Sequence, residues 1–385
     1  MANDRYDIAI IGGGIGGATS ACHLAPTNSV ILLEQENELA YHTTSRSAAV
    51  YLEHDGGFVF HRLNVAARDF LDRDHPELDA PLLDPMPVLD VGTEDLADEM
   101  REIAARGADL NSAIRFVAGS ELTDICPVLR PDVAVVGVLE PTAAALDVMA
   151  LHQLYVRRAR AAGAEIRRSS RVTGISRTAA GFSLATASGQ VDAGIVVNAA
   201  GAWGDGIGEM AGAQPIGLTP MRRTAFTTTV AHDTTGWPLV YAPSAANHCY
   251  FKPEAGNQLL CSLADETPSP AVDARPEEID VAMAIENINT LTTLDIRSVN
   301  TTWAGLRTFS PDRDPVFGWD DGVEGFFWMV GQGGWGIVSS PMAGRVVAAA
   351  VAGEGFPAEL SDLGLRPEHL NPRREDPSTQ NSSTT

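Results

Sequence analysis

The sequence predicts an α/β protein of two domains, one Rossmann-like with a parallel sheet, the other α+β with a mixed or antiparallel sheet. Three observations predict it. The apolar run Asp7 to Ile11 leads directly into Gly12, Gly14 and Gly17, then into a helical stretch from Ala18 to Leu24 that Pro26 breaks, then into a second apolar run, Val30 to Leu33. Strand, helix and strand in that order make a compact βαβ unit. From Glu53 to Glu140 prolines at 76, 81, 85, 87, 127 and 131 punctuate short strands and helices such as Thr93 to Arg106, as in a separate cap. The chain later returns to short apolar strands, Phe326 to Gly331 among them, and a last helix from about Ser340 to Val351. The expected nucleotide domain is therefore discontinuous, 1–50, 146–217 and 300–370, with 51–145 and 218–299 forming the second domain.

Within this frame, Asp147 is placed to cap a helix through Leu151, Leu154, Tyr155 and Ala159, which Gly163 ends. Strands follow at Glu165 to Arg167, Val172 to Ile175, Phe182 to Thr186 and Ile195 to Asn198. Leu218 to Leu263 reads as strands with turns, Glu277 to Leu291 as an amphipathic helix, and Thr302 to Arg307 as a further strand. The segment 371–385, rich in Ser, Thr, Pro and charge, has too little apolar content to fold and is expected to be disordered.

Composition narrows the function. With 385 residues, 44% of them hydrophobic, the chain can bury a sizeable core, and its net charge of −23 repels nucleic acid and anionic lipid. Cys22, Cys126, Cys249 and Cys261 show no metal-ligand spacing, and His42, His54 and His61 fit no ligand motif, so no metal is expected. The N-terminal stretch lacks the features of a secretory leader, and no apolar run is long enough for a membrane helix, so the expected location is the cytoplasm.

The glycines carry the first chemistry. Gly12 permits a tight turn, Gly14 lets a pyrophosphate approach the backbone, and Gly17 lets helix and strand pack closely. Ile15 and Gly16 open the helix, whose free N–H groups and partial positive charge suit phosphate. Glu34, at the end of the next strand, stands where a carboxylate accepts ribose hydroxyls. The loop alone leaves FAD and NAD both open.

Three further segments decide between them. Tyr41-His-Thr-Thr-Ser-Arg-Ser-Ala-Ala49, Val197-Asn-Ala-Ala-Gly-Ala-Trp203, and Thr302-Trp-Ala-Gly-Leu-Arg307 with Gln332-Gly-Gly-Trp-Gly-Ile337 resemble the FAD-dependent amino-acid oxidases and dehydrogenases, most closely the D-arginine dehydrogenases, over nearly the whole chain. The resemblance implies a D-amino-acid-oxidase-like fold, with FAD extended in the nucleotide domain and hydride passing from substrate carbon to flavin N5. It implies that Thr43, Thr44, Arg46, Ser47 and Ala48 contact the cofactor, that Val172 faces the adenine, and that Ala200, Gly201 and Trp203 line the dinucleotide. Gly305, Leu306, Gly333, Gly334, Trp335, Gly336 and Ile337 would surround the flavin, and the helix dipole behind them would stabilise negative charge on the reduced ring. No cysteine stands where some relatives attach flavin, so non-covalent FAD is expected.

The same resemblance places the substrate. Arg307 matches an arginine that binds the substrate carboxylate through its planar fork, Tyr250 a tyrosine that assists, and Arg223 a second substrate-facing arginine whose role Arg222 could take instead. The departures bear on specificity. Val88 replaces a glutamate that recognises a cationic side chain, Val50 a histidine, Val338 a glutamine, and Asp55 a lid tyrosine. With Gly334 these line the expected pocket. It should favour bulky apolar or aromatic D-amino acids, unless Asp55 points inward and holds a basic one. The products would be an imino acid, hydrolysing to a 2-oxo acid and ammonia. Oxidation of a secondary amine, imino acid or 2-hydroxy acid is the alternative, and oxygen or a quinone-like molecule the electron acceptor.

Overall fold

The computed structural model describes residues 4–244 and 247–374. Its first sheet has eight strands, ordered Val172–Thr178, Gly181–Thr186, Gly189–Asn198, Asp4–Ile11, Val30–Leu33 and Glu165–Arg167, with Phe326–Val330 also paired to Gly189–Asn198 and Val316–Trp319 paired to Phe326–Val330. Asp4–Ile11 runs parallel to both neighbours, pairing Ile10 with Val197 on one side and with Leu32 on the other. Strands covered on both faces read as the continuous apolar runs seen here. The helices Ile15–Leu24, Val148–Ala161 and Gly336–Ala352 pack together over one face, joining Ile10, Leu32, Leu154, Tyr155, Met342 and Val347 in one core.

Local chemistry explains the helix ends. Asp147 accepts the Ala150 N–H at 2.8 Å as N-cap, and Gly163 lies beyond the helix at φ 96°, a left-handed conformation that suits glycine. The last helix begins at Gly336, four residues before the start expected from the sequence. Pro341 lacks the N–H that would bond the Ile337 carbonyl, and the Ser340 hydroxyl takes that carbonyl at 2.8 Å, so the first turn survives a proline.

The second sheet has nine strands, ordered Thr267–Pro268, Thr219–Thr229, Gln258–Ser262, Cys249–Glu254, Leu239–Ala242, Val88–Gly92, Val136–Glu140 and Arg115–Ala118, with Thr301–Phe309 on Thr219–Thr229. It is antiparallel except where Leu239–Ala242 runs beside Val88–Gly92. A short third sheet joins Val50–Tyr51, Ala144–Leu146 and Leu83–Pro85.

Two expectations need correction. Thr301–Phe309, expected with the nucleotide domain, pairs along its whole length with Thr219–Thr229 in the second sheet, because its alternating pattern serves a long antiparallel ladder. The segment 371–385 was expected to be disordered throughout, yet Asn371 to Arg374 are placed. The Arg374 guanidinium bonds both carboxylate oxygens of Asp312, the Ser310 hydroxyl and the carbonyls of Asp314 and Pro315, contacts that composition does not register. Residues 375–385 lie outside the described residues.

Candidate active site

A long cleft runs from the first sheet towards the second. Gly12, Gly14, Ile15 and Gly16 form its floor, with Glu34, Thr43, Thr44, Arg46, Ser47, Ala48, Val172, Ala200, Gly201 and Trp203 along it. Gly305, Leu306, Arg307, Gly333, Gly334, Gly336 and Ile337 close its far end. Residues expected at one cofactor site are thus brought together from six separate stretches of chain. Two expected there lie elsewhere. Gly17 packs behind the loop, where a methyl group would stand 1.8 Å from the Gly12 carbonyl oxygen, and Trp335 faces a second cavity.

The glycine loop is held without side chains of its own. The Glu34 carboxylate accepts the Gly13 N–H at 2.6 Å and the Glu36 N–H at 2.9 Å, and burial pushes its pKa up against the pull of those two bonds. Thr44 Oγ1 accepts the Ile15 N–H at 3.0 Å, satisfying one free donor of the helix terminus. His152 bonds the Gly13 carbonyl at 3.0 Å. Arg46 lines the cleft, but its guanidinium is spent on the carbonyls of Ala274 and Ala304 and on Asp273 at 2.6 Å, so it ties loops together.

The cleft fits FAD on its own terms. A methyl group at Gly12 would meet the Ala199 oxygen at 2.4 Å, so only glycine lets the loop and the Ala199–Ala200 backbone close together on the cleft floor. The Thr308 hydroxyl, buried on the cleft wall, has no hydrogen-bond partner among the described residues. The N-terminus of Gly336–Ala352 opens onto the far end, where Gly331 at φ 70° and Gly333 at φ 51° turn the chain. A family model, FAD dependent oxidoreductase, matches residues 7–350.

The chain belongs to the FAD dependent oxidoreductase family. Its cofactor is FAD. Among the relatives of this FAD-dependent oxidoreductase, glycine oxidase of Geobacillus kaustophilus is 24% identical over 373 residues, spanning 94% of this chain and 97% of its own. Similar solved structures include L-proline dehydrogenase from P. horikoshii, with TM-score 0.83 at 20% identity, covering 96% of this chain and 98% of its own. Iminodiacetate oxidase from Chelativorans sp. BNC1 has TM-score 0.78 at 20% identity, covering 95% and 98%. Among the described residues of the oxidoreductase no helix is long and apolar enough to cross a membrane.

A second cavity, of about 540 Å³, adjoins the far end of the cleft and shares Ser47, Ala48, Arg223, Tyr250, Arg307, Gly334 and Ile337 with it. Val50, Val88, Leu239 and Val338 form an apolar wall, so all three valines expected in the pocket are there. Asp55 faces this cavity as well, and Asp90, Glu266, Asp312 and Asp314 line it, acids that the sequence reading of an apolar pocket missed. They come from strands and loops remote in sequence, and no local pattern marks them.

Most of these charges cancel within the protein. Glu266 pairs with Arg223 and with Arg313, Asp312 with Arg374, and Asp90 with His54. Arg307 alone among the cavity's arginines makes no hydrogen bond or ion pair with the described residues. Burial, and then Arg223 nearby, pull its pKa down to about 10, so it stays charged at neutral pH while lacking a counter-ion.

Arg222 and Arg223 divide as neighbours on one strand must, since successive side chains point to opposite faces. Arg223 faces the cavity and donates to the Asp265 carbonyl at 2.7 Å, whereas Arg222 pairs with Glu277 and with buried Asp280 at 3.0 Å. Replacing Arg222 by Met strands Asp280 and should cost about 3 kcal/mol in denaturant unfolding while leaving flavin reduction at the wild-type rate. A loss of flavin reduction without a loss of stability would give Arg222 the substrate role.

Proposed function

We propose that the chain oxidises a D-amino acid with an apolar or aromatic side chain to an imino acid, which water converts to a 2-oxo acid and ammonia. The observation that carries this reading is Arg307, an uncompensated guanidinium at the junction of the FAD cleft and the cavity. An unpaired, half-buried charge on a cavity wall is costly, and a carboxylate is the ligand that offsets it with two parallel hydrogen bonds. Tyr250, 7% exposed on the neighbouring wall, supplies a hydroxyl beside it.

With the carboxylate held there, the substrate's Cα sits where the cavity meets the cleft, and its side chain meets Val50, Val88 and Val338. FAD supplies the two-electron acceptor. Positioning is then the main contribution of the protein, since a fixed Cα–H turns a bimolecular encounter into an intramolecular one. The relatives named for proline and iminodiacetate favour a secondary amine as the second reading, held through the same carboxylate.

Anaerobic titration of the visible flavin band decides between them. D-phenylalanine, D-methionine and D-leucine should bleach it, with proline, sarcosine, glycine and 2-hydroxy acids slower. Bleaching by D-arginine and D-lysine far ahead of the apolar set would overturn the apolar preference, and bleaching by proline or sarcosine alone would replace the D-amino-acid reading.

A further inference from the structure

The segment before the helix Gly57–Asp72 carries a buried polar array that positioning by Arg307 does not use. Glu140, fully buried, accepts the backbone N–H groups of Glu53 at 2.9 Å and His54 at 3.1 Å, and takes the His54 Nδ1–H at 2.6 Å. Asp90 takes the other ring N–H at 2.9 Å. Both nitrogens donating makes the ring an imidazolium, and these two carboxylates hold its pKa well above the usual histidine value despite burial. One cation between two anions leaves the array net negative. Its effect falls on the next residue, Asp55.

Asp55 stands at a junction. With His54, Gly56, Gly57, Asp90 and Tyr241 it lines both the substrate cavity and an outer cavity of about 570 Å³ between the helices Gly57–Asp72 and Ala97–Leu110. The outer cavity reaches exposed residues, among them Phe58, Glu99 and Arg106. Asp55 Oδ1 accepts the Gly56 N–H at 2.7 Å, and among the described residues Oδ2 has no hydrogen-bond partner. Gly56 at φ 102° and Gly57 at φ 71° fix the turn that presents it.

We propose that Asp55 takes the proton that the substrate's ammonium group must lose before oxidation, and releases it to water in the outer cavity. This rests on the amino-acid reading above. An ammonium nitrogen has no lone pair from which to build a C=N bond. In the step proposed, an N–H bond breaks and an O–H bond forms on Asp55 Oδ2, and the freed lone pair becomes the C=N π bond as Cα–H leaves with its electron pair for FAD. Asp55 then gives its proton to solvent and is restored.

Desolvation by the walls of the two cavities and then Asp90 raise the proton affinity of Asp55, although its side chain stays exposed, while His54, the Gly56 N–H and Arg307 lower it, and the net direction is upward, towards a stronger base. On the helices, His61, Arg62, Glu99, Arg106 and Asp109 also face the outer cavity, and Tyr241 faces both. Arg223, His248, Glu266, Asp312, Arg313 and Asp314 face the inner one.

The test is the pH profile of kcat/KM for the amino acid that bleaches the wild-type flavin fastest. Asp55→Asn should lower kcat/KM about 100-fold at neutral pH, and the loss should shrink about tenfold per pH unit until the substrate ammonium ionises unaided. Asp90→Asn removes a charge that raises the Asp55 pKa, so the acid limb should move to lower pH. Wild-type FAD content and unfolding midpoint in both variants establish that they fold. An Asp55→Asn profile parallel to wild type at every pH, or an Asp90→Asn limb that does not move, would overturn the proposal. A wild-type flavin that no amino acid bleaches is a different result, and it overturns the proposed function together with this step.

Discussion

Arg307→Met should lower kcat/KM by two to three orders of magnitude without destabilising the fold. The two halves of this expectation come from the same fact. Arg307 makes no hydrogen bond or ion pair with the described residues, so in the proposed reading its guanidinium is kept for the substrate carboxylate, and removing one partner of a desolvated charged pair costs about 2–5 kcal/mol of binding. At roughly 1.4 kcal/mol per factor of ten, that is about 30-fold to several thousand-fold. In the free enzyme the charge is uncompensated, with its pKa already pulled down by burial and Arg223, so an apolar chain of similar length should leave the unfolding midpoint unchanged or higher. Steady-state kinetics and thermal unfolding of one purified variant check both. A variant that unfolds several degrees earlier with little change in kcat/KM would make Arg307 a structural residue and remove the carboxylate anchor.

Gly17→Ala should yield protein without flavin. A methyl group at Gly17 would lie 1.8 Å from the Gly12 oxygen, and backbone contacts that close cannot be relieved by a rotamer change. Gly12 cannot yield readily, because a methyl group there would itself stand 2.4 Å from the Ala199 oxygen and its φ of 109° already lies where L side chains are strained. The loop must therefore separate from the adjoining strand, and the pyrophosphate floor goes with it. The ratio of visible flavin absorbance to protein absorbance after gel filtration measures this, and a stoichiometric yellow Gly17→Ala protein would refute the packing role of Gly17.

How much of this was legible in the sequence depends on the range of the interactions involved. Gly12, Gly14, Gly17 and Glu34 could be read because a βαβ unit is local: its strands, turn and acid follow one another along the chain. Asp147 and Gly163 could be read for the same reason. The valines were singled out through resemblance, and the structure lines one cavity with Val50, Val88 and Val338, Val88 pairing with Glu140 on one side and Leu239 on the other in the second sheet. What escaped was set by register between remote strands. Asp90 reads as an ordinary strand acid until its pairing with Val138 and Tyr241 brings it to His54, and Glu140 reads as a loop-end acid until the chain folds Glu53 onto it. The sheet membership of Thr301–Phe309 escaped because an alternating strand carries no label for its partner. Arg374 escaped because a single half-buried arginine is invisible in a polar tail.

The strand Thr301–Phe309 joins the two halves of the site mechanically. Thr43 donates to the Leu306 carbonyl at 2.7 Å, Arg46 to that of Ala304 at 2.9 Å, and the Gly333 N–H to that of Thr308 at 2.9 Å, so the residues flanking Arg307 are fastened to loops that line the FAD cleft. The opposite edge of the same strand is laddered to Thr219–Thr229. Order in the loops lining the cleft and order around Arg307, the proposed carboxylate anchor, are thus coupled. By linkage, whatever tightens FAD preorganises Arg307, and a carboxylate seated on Arg307 tightens FAD by the same factor.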